Sequence, residues 1–263
     1  ALTDDTLVPP AGTLYQKMSN NHLGATVSNG TAIAFGDNEH RAYVPLQFWF
    51  CRNPGLALPL IALQYHEVKV SITYAAALDL VSATGAGRAL TLSGNKLFVD
   101  YIYLDTDERR RFAQQSHEYL IEQLQFQKTT SANADLNFNH PVKELIFVGT
   151  PVTLANGGLT GPATPAALTA TNKYKLKLNG HDRFQERERN YFTRTQVYQH
   201  HSGYGGTSVA DSIGVYSFAL KPEEHQPSGT CNFSRIDNAR MIFGAVATGN
   251  LHVYAVNYNV LRV

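Results

Sequence analysis

The residues able to do acid–base or metal chemistry fall into three polar clusters. Asp100, Asp105, Asp107 and Glu108 bring four carboxylates close together. A carboxylate pair can protonate a leaving group and activate a nucleophile, but only across a cleft at a fixed separation. These four line a strand end and a helix start, where capping the first turn is their ordinary use. His200 and His201 stand near Glu223, Glu224 and His225 in sequence, residue types that ligate transition metals. Adjacent histidines on a strand point to opposite faces, so both reach one ion only across a bulge. Polar loop surface is the simpler expectation. The third cluster, His181-Asp182-Arg183 with Glu186, Arg187, Glu188 and Arg189, alternates in sign. Such runs form ion-pair networks at a solvated surface or between subunits, where they fix register more than they add affinity. His181, Asp182, Arg183, Glu186, Arg187 and Arg189 are therefore candidate subunit-interface residues.

Motifs for phosphate, dinucleotide and nucleophile chemistry are missing. Gly94-Asn95-Lys96 has neither the spacing nor the following Ser or Thr of a phosphate loop. Gly85-Ala86-Gly87 lacks the third glycine of a dinucleotide turn and opens no helix. Gly203-Tyr204-Gly205-Gly206 carries tyrosine where a nucleophile elbow needs serine. The expectation is a non-enzyme with no catalytic residue, no cofactor and no metal. Asn29-Gly30-Thr31 and Asn232-Phe233-Ser234 match the N-glycosylation triplet. Ala1 to Asp5 show no basic stretch leading into an apolar run, so no signal peptide is expected and the triplets read as chance.

The elements that must position these residues are mostly strands. The 263 residues carry 22 basic against 21 acidic side chains, which offers no broad basic field for nucleic acid or an anionic membrane. The 14 Tyr and 13 Phe favour pleated, half-buried surfaces. Cys51 and Cys231 cannot build a disulfide framework, and free thiols suit a reducing compartment. Period-2 alternation is clearest from His66 to Tyr74 and from Lys173 to Asn179, which predicts strands with one wet face. Leu97 to Leu104, Glu144 to Val148, Ile213 to Leu220, Met241 to Val246 and Leu251 to Val260 are apolar on both faces. Tyr119 to Phe126 reads as a further strand. One short helix is expected over Thr106 to Gln114, with Thr106 as its cap. Gly85 to Gly94, Asn156 to Thr171, His200 to Asp211 and Lys221 to Gly229 read as connections. Many short strands, long loops and very little helix predict an all-β jelly-roll β-sandwich.

Several long stretches carry a family resemblance. Pro45-Leu46-Gln47-Phe48-Trp49-Phe50 and the run from Asn53 to Val68 resemble the end of the first jelly roll in major capsid proteins of nucleocytoplasmic large DNA viruses. Val99 to Phe112 resembles the opening strand and short helix of their second jelly roll. Asn179 to Phe184, Gln226 to Asn238 and Tyr254 to Arg262 are similar to further family stretches, in the family's order. The resemblance implies a double jelly roll, with 1–92 as the C-terminal part of an incomplete first domain and 93–263 as the second. It also implies homotrimeric, pseudo-hexagonal capsomers that tile an icosahedral shell. Neighbouring capsomers and minor capsid proteins would be partners. An internal membrane would lie beneath, with no transmembrane segment and no direct nucleic-acid contact. The implied location is the virion, after assembly in the host cytoplasm. Two other readings share the fold. One is a minor capsid or vertex protein; the other is a carbohydrate-binding attachment module, with Tyr198 and Tyr204 stacking on sugars.

Overall fold

The computed structural model describes residues 43–73, 94–149, 173–202, 213–244 and 251–263. Their strands are β1 (Glu118–Thr129), β2 (Asn133–Asp135), β3 (Pro141–Gly149), β4 (Lys173–Leu178) and β5 (His181–Asp182). After them come β6 (Arg187–Glu188), β7 (Ile213–Ser217), β8 (Cys231–Asn232), β9 (Ala239–Ile242) and β10 (Leu251–Arg262). Two antiparallel sheets result. The first has the order β1-β10-β3-β7, with β8 added beside β3; the second has the order β2-β9-β4-β5, with β6 beside β4. Successive strands cross between the sheets, the connectivity of a jelly roll.

The inward faces meet in an aromatic core. Phe147 lies with its ring centroid 5.9 Å from Tyr174, 5.7 Å from Phe192 and 5.6 Å from Phe243, all in edge-to-face contact. Val142, Leu145, Leu176, Met241, Val253 and Ala255 close the space around them. On β1, Gln125 and Gln127 continue the inward row beyond Ile121 and act as backbone mimics. Gln125 donates to Asn139 O at 2.6 Å and accepts from Asn139 N at 3.0 Å. Gln127 makes the same reciprocal pair with Asp135 O and Asn137 N. The amides supply partners that a segment without a strand neighbour would otherwise lack.

The structure corrects several expectations. The strand expected from His66 to Tyr74 is not formed over 66–73 among the described residues; Val68, Val70 and Ile72 are exposed. Leu97 to Leu104 likewise forms no strand among the described residues, and Phe98, Tyr101 and Tyr103 are exposed. Alternation marks a chain able to form a strand, but the strand needs a backbone partner. Helix α1, Trp49–Arg52, was not expected; α2 covers Thr106–Gln114, as expected, but its cap is Asp105, whose side chain accepts from Glu108 N at 2.9 Å. A π-helical turn, Tyr191–Thr195, runs into α3, Gln196–His200, so His200 ends a helix and does not open a connection. The β4–β5 hairpin turns on Asn179 (φ 50°) and Gly180 (φ 81°), the left-handed pair that a two-residue hairpin requires. The connections at 85–93, 156–171 and 203–211 lie outside the described residues, as do Tyr204 and Asn29.

Gly214 tests the core packing. It sits opposite Phe147 in the β3–β7 pair, and a Cβ there would be driven into the fully buried Phe147 ring. Gly214→Ala is expected to cost roughly 1–3 kcal/mol through overpacking, read as a lowered Tm in thermal denaturation.

Candidate functional site

The chemistry-bearing side chains collect on the outer face of the first sheet, and a local irregularity puts them there. Glu144 pairs with Val256 and Val142 with Asn257, so Lys143 is an extra residue in β3. The carbonyl of Lys143 accepts from both Phe218 N (2.8 Å) and Ala219 N (3.2 Å). Two consecutive residues therefore leave the core between inward-facing Val142 and Leu145. Both are nearly inaccessible, Lys143 at 3% and Glu144 at 6% exposure.

Each buried charge has a partner. Lys143 Nζ lies 2.8 Å from Glu122 Oε1 on β1 and 5.4 Å from the Tyr258 ring centroid on β10. Burial pushes the Tyr258 phenol up to about 12, with Glu122 and Glu144 adding to the shift. The second Glu122 oxygen accepts from Arg52 at 2.9 Å, an ion pair that reaches in from the segment ahead of the sandwich. That segment also packs Trp49 beside Tyr119, at 6.4 Å between ring centroids, and buries Leu56. Beneath it lies a cavity of about 390 Å³ lined by Trp49, Arg52, Glu122, Glu223 and His225.

The cluster His200, His201, Glu223, Glu224 and His225 is only partly brought together. His201 meets Glu223 at 3.2 Å and Glu144 at 3.0 Å. His200 instead faces Leu220 O at 3.1 Å, Glu224 pairs with Lys221 at 2.9 Å, and His225 stands 3.9 Å from Glu122. Among the described residues no group of three His, Cys, Asp or Glu is placed to hold a metal ion. Asp105 caps α2.

The alternating-sign run finds its partners on the neighbouring strand, outside its own stretch of sequence. Lys175 on β4 reaches Asp182 at 3.0 Å and Glu186 at 3.6 Å, and Lys177 reaches Asp182 at 3.6 Å. The hydrogen bond from Lys175 holds the Asp182 carboxyl below its usual value. Arg187 covers the Tyr191 ring at 4.1 Å, and Arg189 pulls against the burial that lifts the Tyr174 phenol to about 12. His181 and Arg183 are exposed at the β4–β5 turn. Asn232 uses its side-chain oxygen to accept from Ser234 N at 3.0 Å. Cys51 and Cys231 are both free, and Tyr198 is exposed.

Sequence reading missed the Glu122–Lys143–Glu144 group, whose signal was a charged doublet inside an otherwise apolar strand. Beside it the same face is apolar. Since Val253 and Ala255 point inward, Tyr254 and Val256 point out, opposite Phe126 and Leu124 of β1. Leu124 is 63% exposed, Phe126 54% and Val260 52%.

These features define a jelly-roll sandwich with charges buried on one outer face and an exposed apolar row beside them. Residues 108–263 match the family described as large eukaryotic DNA virus major capsid protein, and residues 12–105 match the major capsid protein N-terminus. The chain belongs to the large eukaryotic DNA virus major capsid protein family. It is 51% identical to the major capsid protein of Pyramimonas orientalis virus, over 95% of this chain and 65% of that protein. It is 44% identical to the major capsid protein of Paramecium bursaria Chlorella virus 1, over 86% of this chain and 65% of that protein. The solved PBCV-1 virus capsid superposes with a TM-score of 0.67 at 36% identity, covering 94% of this chain and 72% of that chain. The chain thus spans just under two thirds of the curated relatives it matches.

The burial difference between the two Glu122 partners sets their expected worth. Lys143→Ala takes the buried partner from the Glu122 carboxylate, which keeps only the half-exposed Arg52, and is expected to cost up to about 3–5 kcal/mol, whereas Arg52→Ala, which leaves the buried pair intact, should cost no more than about 1 kcal/mol. Urea midpoints of the two variants measure both.

Proposed function

We propose that this chain is a structural shell protein, a major capsid protein whose copies associate as trimers into pseudo-hexagonal capsomers that tile an icosahedral virion. Family membership and relatives bearing that name support the reading. In it, 1–92 contributes to a first jelly roll and 93–263 forms the second. Minor capsid proteins and an internal membrane lie beneath the shell. Activity here is association, with no substrate turned over.

One observation carries the reading: the exposed row of Leu124, Phe126 and Val260 along β1 and β10. A sandwich that worked alone would keep that outer face polar. Copies meeting in a three-fold ring cover it through heterologous contacts, and obligate interfaces of this kind bury more than about 2,000 Å². The charged rim of His181, Asp182, Arg183, Glu186, Arg187 and Arg189 contributes register at a separate contact.

Light scattering on the purified protein tests this directly. The wild type is expected at three times the chain mass. Leu124→Asp combined with Phe126→Asp is expected to give monomers with an unchanged β-type far-ultraviolet spectrum. A monomeric wild type, or a double variant that still forms trimers, would refute the assigned surface.

A further inference from the structure

His201 stands between two carboxylates that belong to different elements. Its Nε2 lies 3.0 Å from Glu144 Oε2 on β3, and its Nδ1 lies 3.2 Å from Glu223 Oε1 in the connection between β7 and β8. A neutral imidazole has one N–H, so it serves one carboxylate and turns a lone pair toward the other. The imidazolium donates to both. The two carboxylates differ in what they lose. Glu144 is buried, its side chain 8% exposed, and a charge there without a partner is costly. Glu223 is open to solvent and also accepts from Ser202 N at 3.1 Å.

The neighbouring charges are engaged elsewhere. Lys143, next to Glu144 on β3, is held by Glu122 of β1, which also takes Arg52. Tyr258 of β10 stays a neutral phenol, its pKa near 12. His225 stands by Glu122, Glu224 pairs with Lys221, and His200 on the same helix end faces Leu220 O.

We propose that Glu144–His201–Glu223 is a pH-sensitive latch, which ties the end of α3 and the connection around Glu223 to the outer face of the first sheet while His201 is protonated. The Glu144 carboxylate, in ion-pair contact 3.0 Å away, and the Glu223 contacts raise the His201 pKa above 6.5, against the opposing effect of burial. A raised folded-state pKa gives stabilisation that is complete below 6.5 and lost as pH climbs through the folded value. The Glu223 carboxyl is held below 4.5, chiefly by hydrogen bonds from Ser202, so its half of the latch is lost only in stronger acid. The latch is closed between those limits. Glu223 also lines the cavity beneath Trp49 and Arg52, so opening frees one wall of the contact between the N-terminal segment and the sandwich. This goes beyond the shell reading and does not depend on it.

Long-range ¹H–¹⁵N NMR of the whole chain tests the latch. Near pH 6 both His201 ring nitrogens should carry protons, with the midpoint above 6.5 and moved downward by Glu144→Gln. Thermal melts add a second reading. The wild-type Tm should fall by roughly 2–4 °C between about pH 6 and pH 9, and this fall should flatten in His201→Gln. A wild-type midpoint at or below 6.5, or one that Glu144→Gln leaves unmoved, overturns the proposal. So does a pH profile that His201→Gln does not change. Should His201→Gln fail to fold, the wild-type titration decides alone.

Discussion

The pairing register between β1 and β10 governs which side chains this sandwich hides and which it offers. Twelve residues of one strand face twelve of the other, from Glu118 opposite Arg262 to Thr129 opposite Leu251. Side chains alternate with a period of two, so a slip by one residue would exchange the two faces completely. In the observed register Gln125 and Gln127 turn inward to serve the backbone of 135–139, while Leu124 and Phe126 turn outward. Over 124–127 of β1 the amides therefore sit inside and the apolar side chains outside, the reverse of a free-standing strand. That inversion makes sense where the outer face is to be covered.

The extra residue at Lys143 adds a second constraint on the same face. Without it, Lys143 and Glu144 would fall on opposite sides of β3, and one charge would enter the aromatic core around Phe147. With it, both charges leave the core together and find Glu122 and His201. Burying such charges adds little net stability when each is matched, but an unmatched one is severely penalised. Their value is specificity, since Glu122 links β1, β3 and, through Arg52, the segment that precedes the sandwich. That segment and the sandwich match two successive parts of the same family of capsid proteins, so the ion pair joins the two matched regions.

Much of this was legible from local pattern, and the remainder required long-range partners. The alternation of Lys173 to Asn179 became β4, and the acidic start at Asp105 to Glu108 became a capped helix, with the cap one residue earlier than expected. Both depend on neighbours in sequence. The turn at Tyr191–Thr195 was missed because Tyr, Phe and Thr favour strands, and packing of Phe192 into the core overrides that preference. Asp182 was read as part of an ion-pair network at a solvated surface or between subunits, and its partners Lys175 and Lys177 reach it from across the hairpin. The segments 66–73, which alternates, and 97–104, which is apolar on both faces, form no strand among the described residues.

The central claim is that the outward row on β1 and β10 is a surface covered by other copies of the chain. Hydroxyl-radical footprinting compares that row in assembled and dissociated protein. Phe126, Leu124 and Tyr254 are expected to be modified readily when copies are apart and to be shielded once they assemble, with Phe147 unreactive in both states. Equal modification of Phe126 and Leu124 before and after assembly would contradict the account.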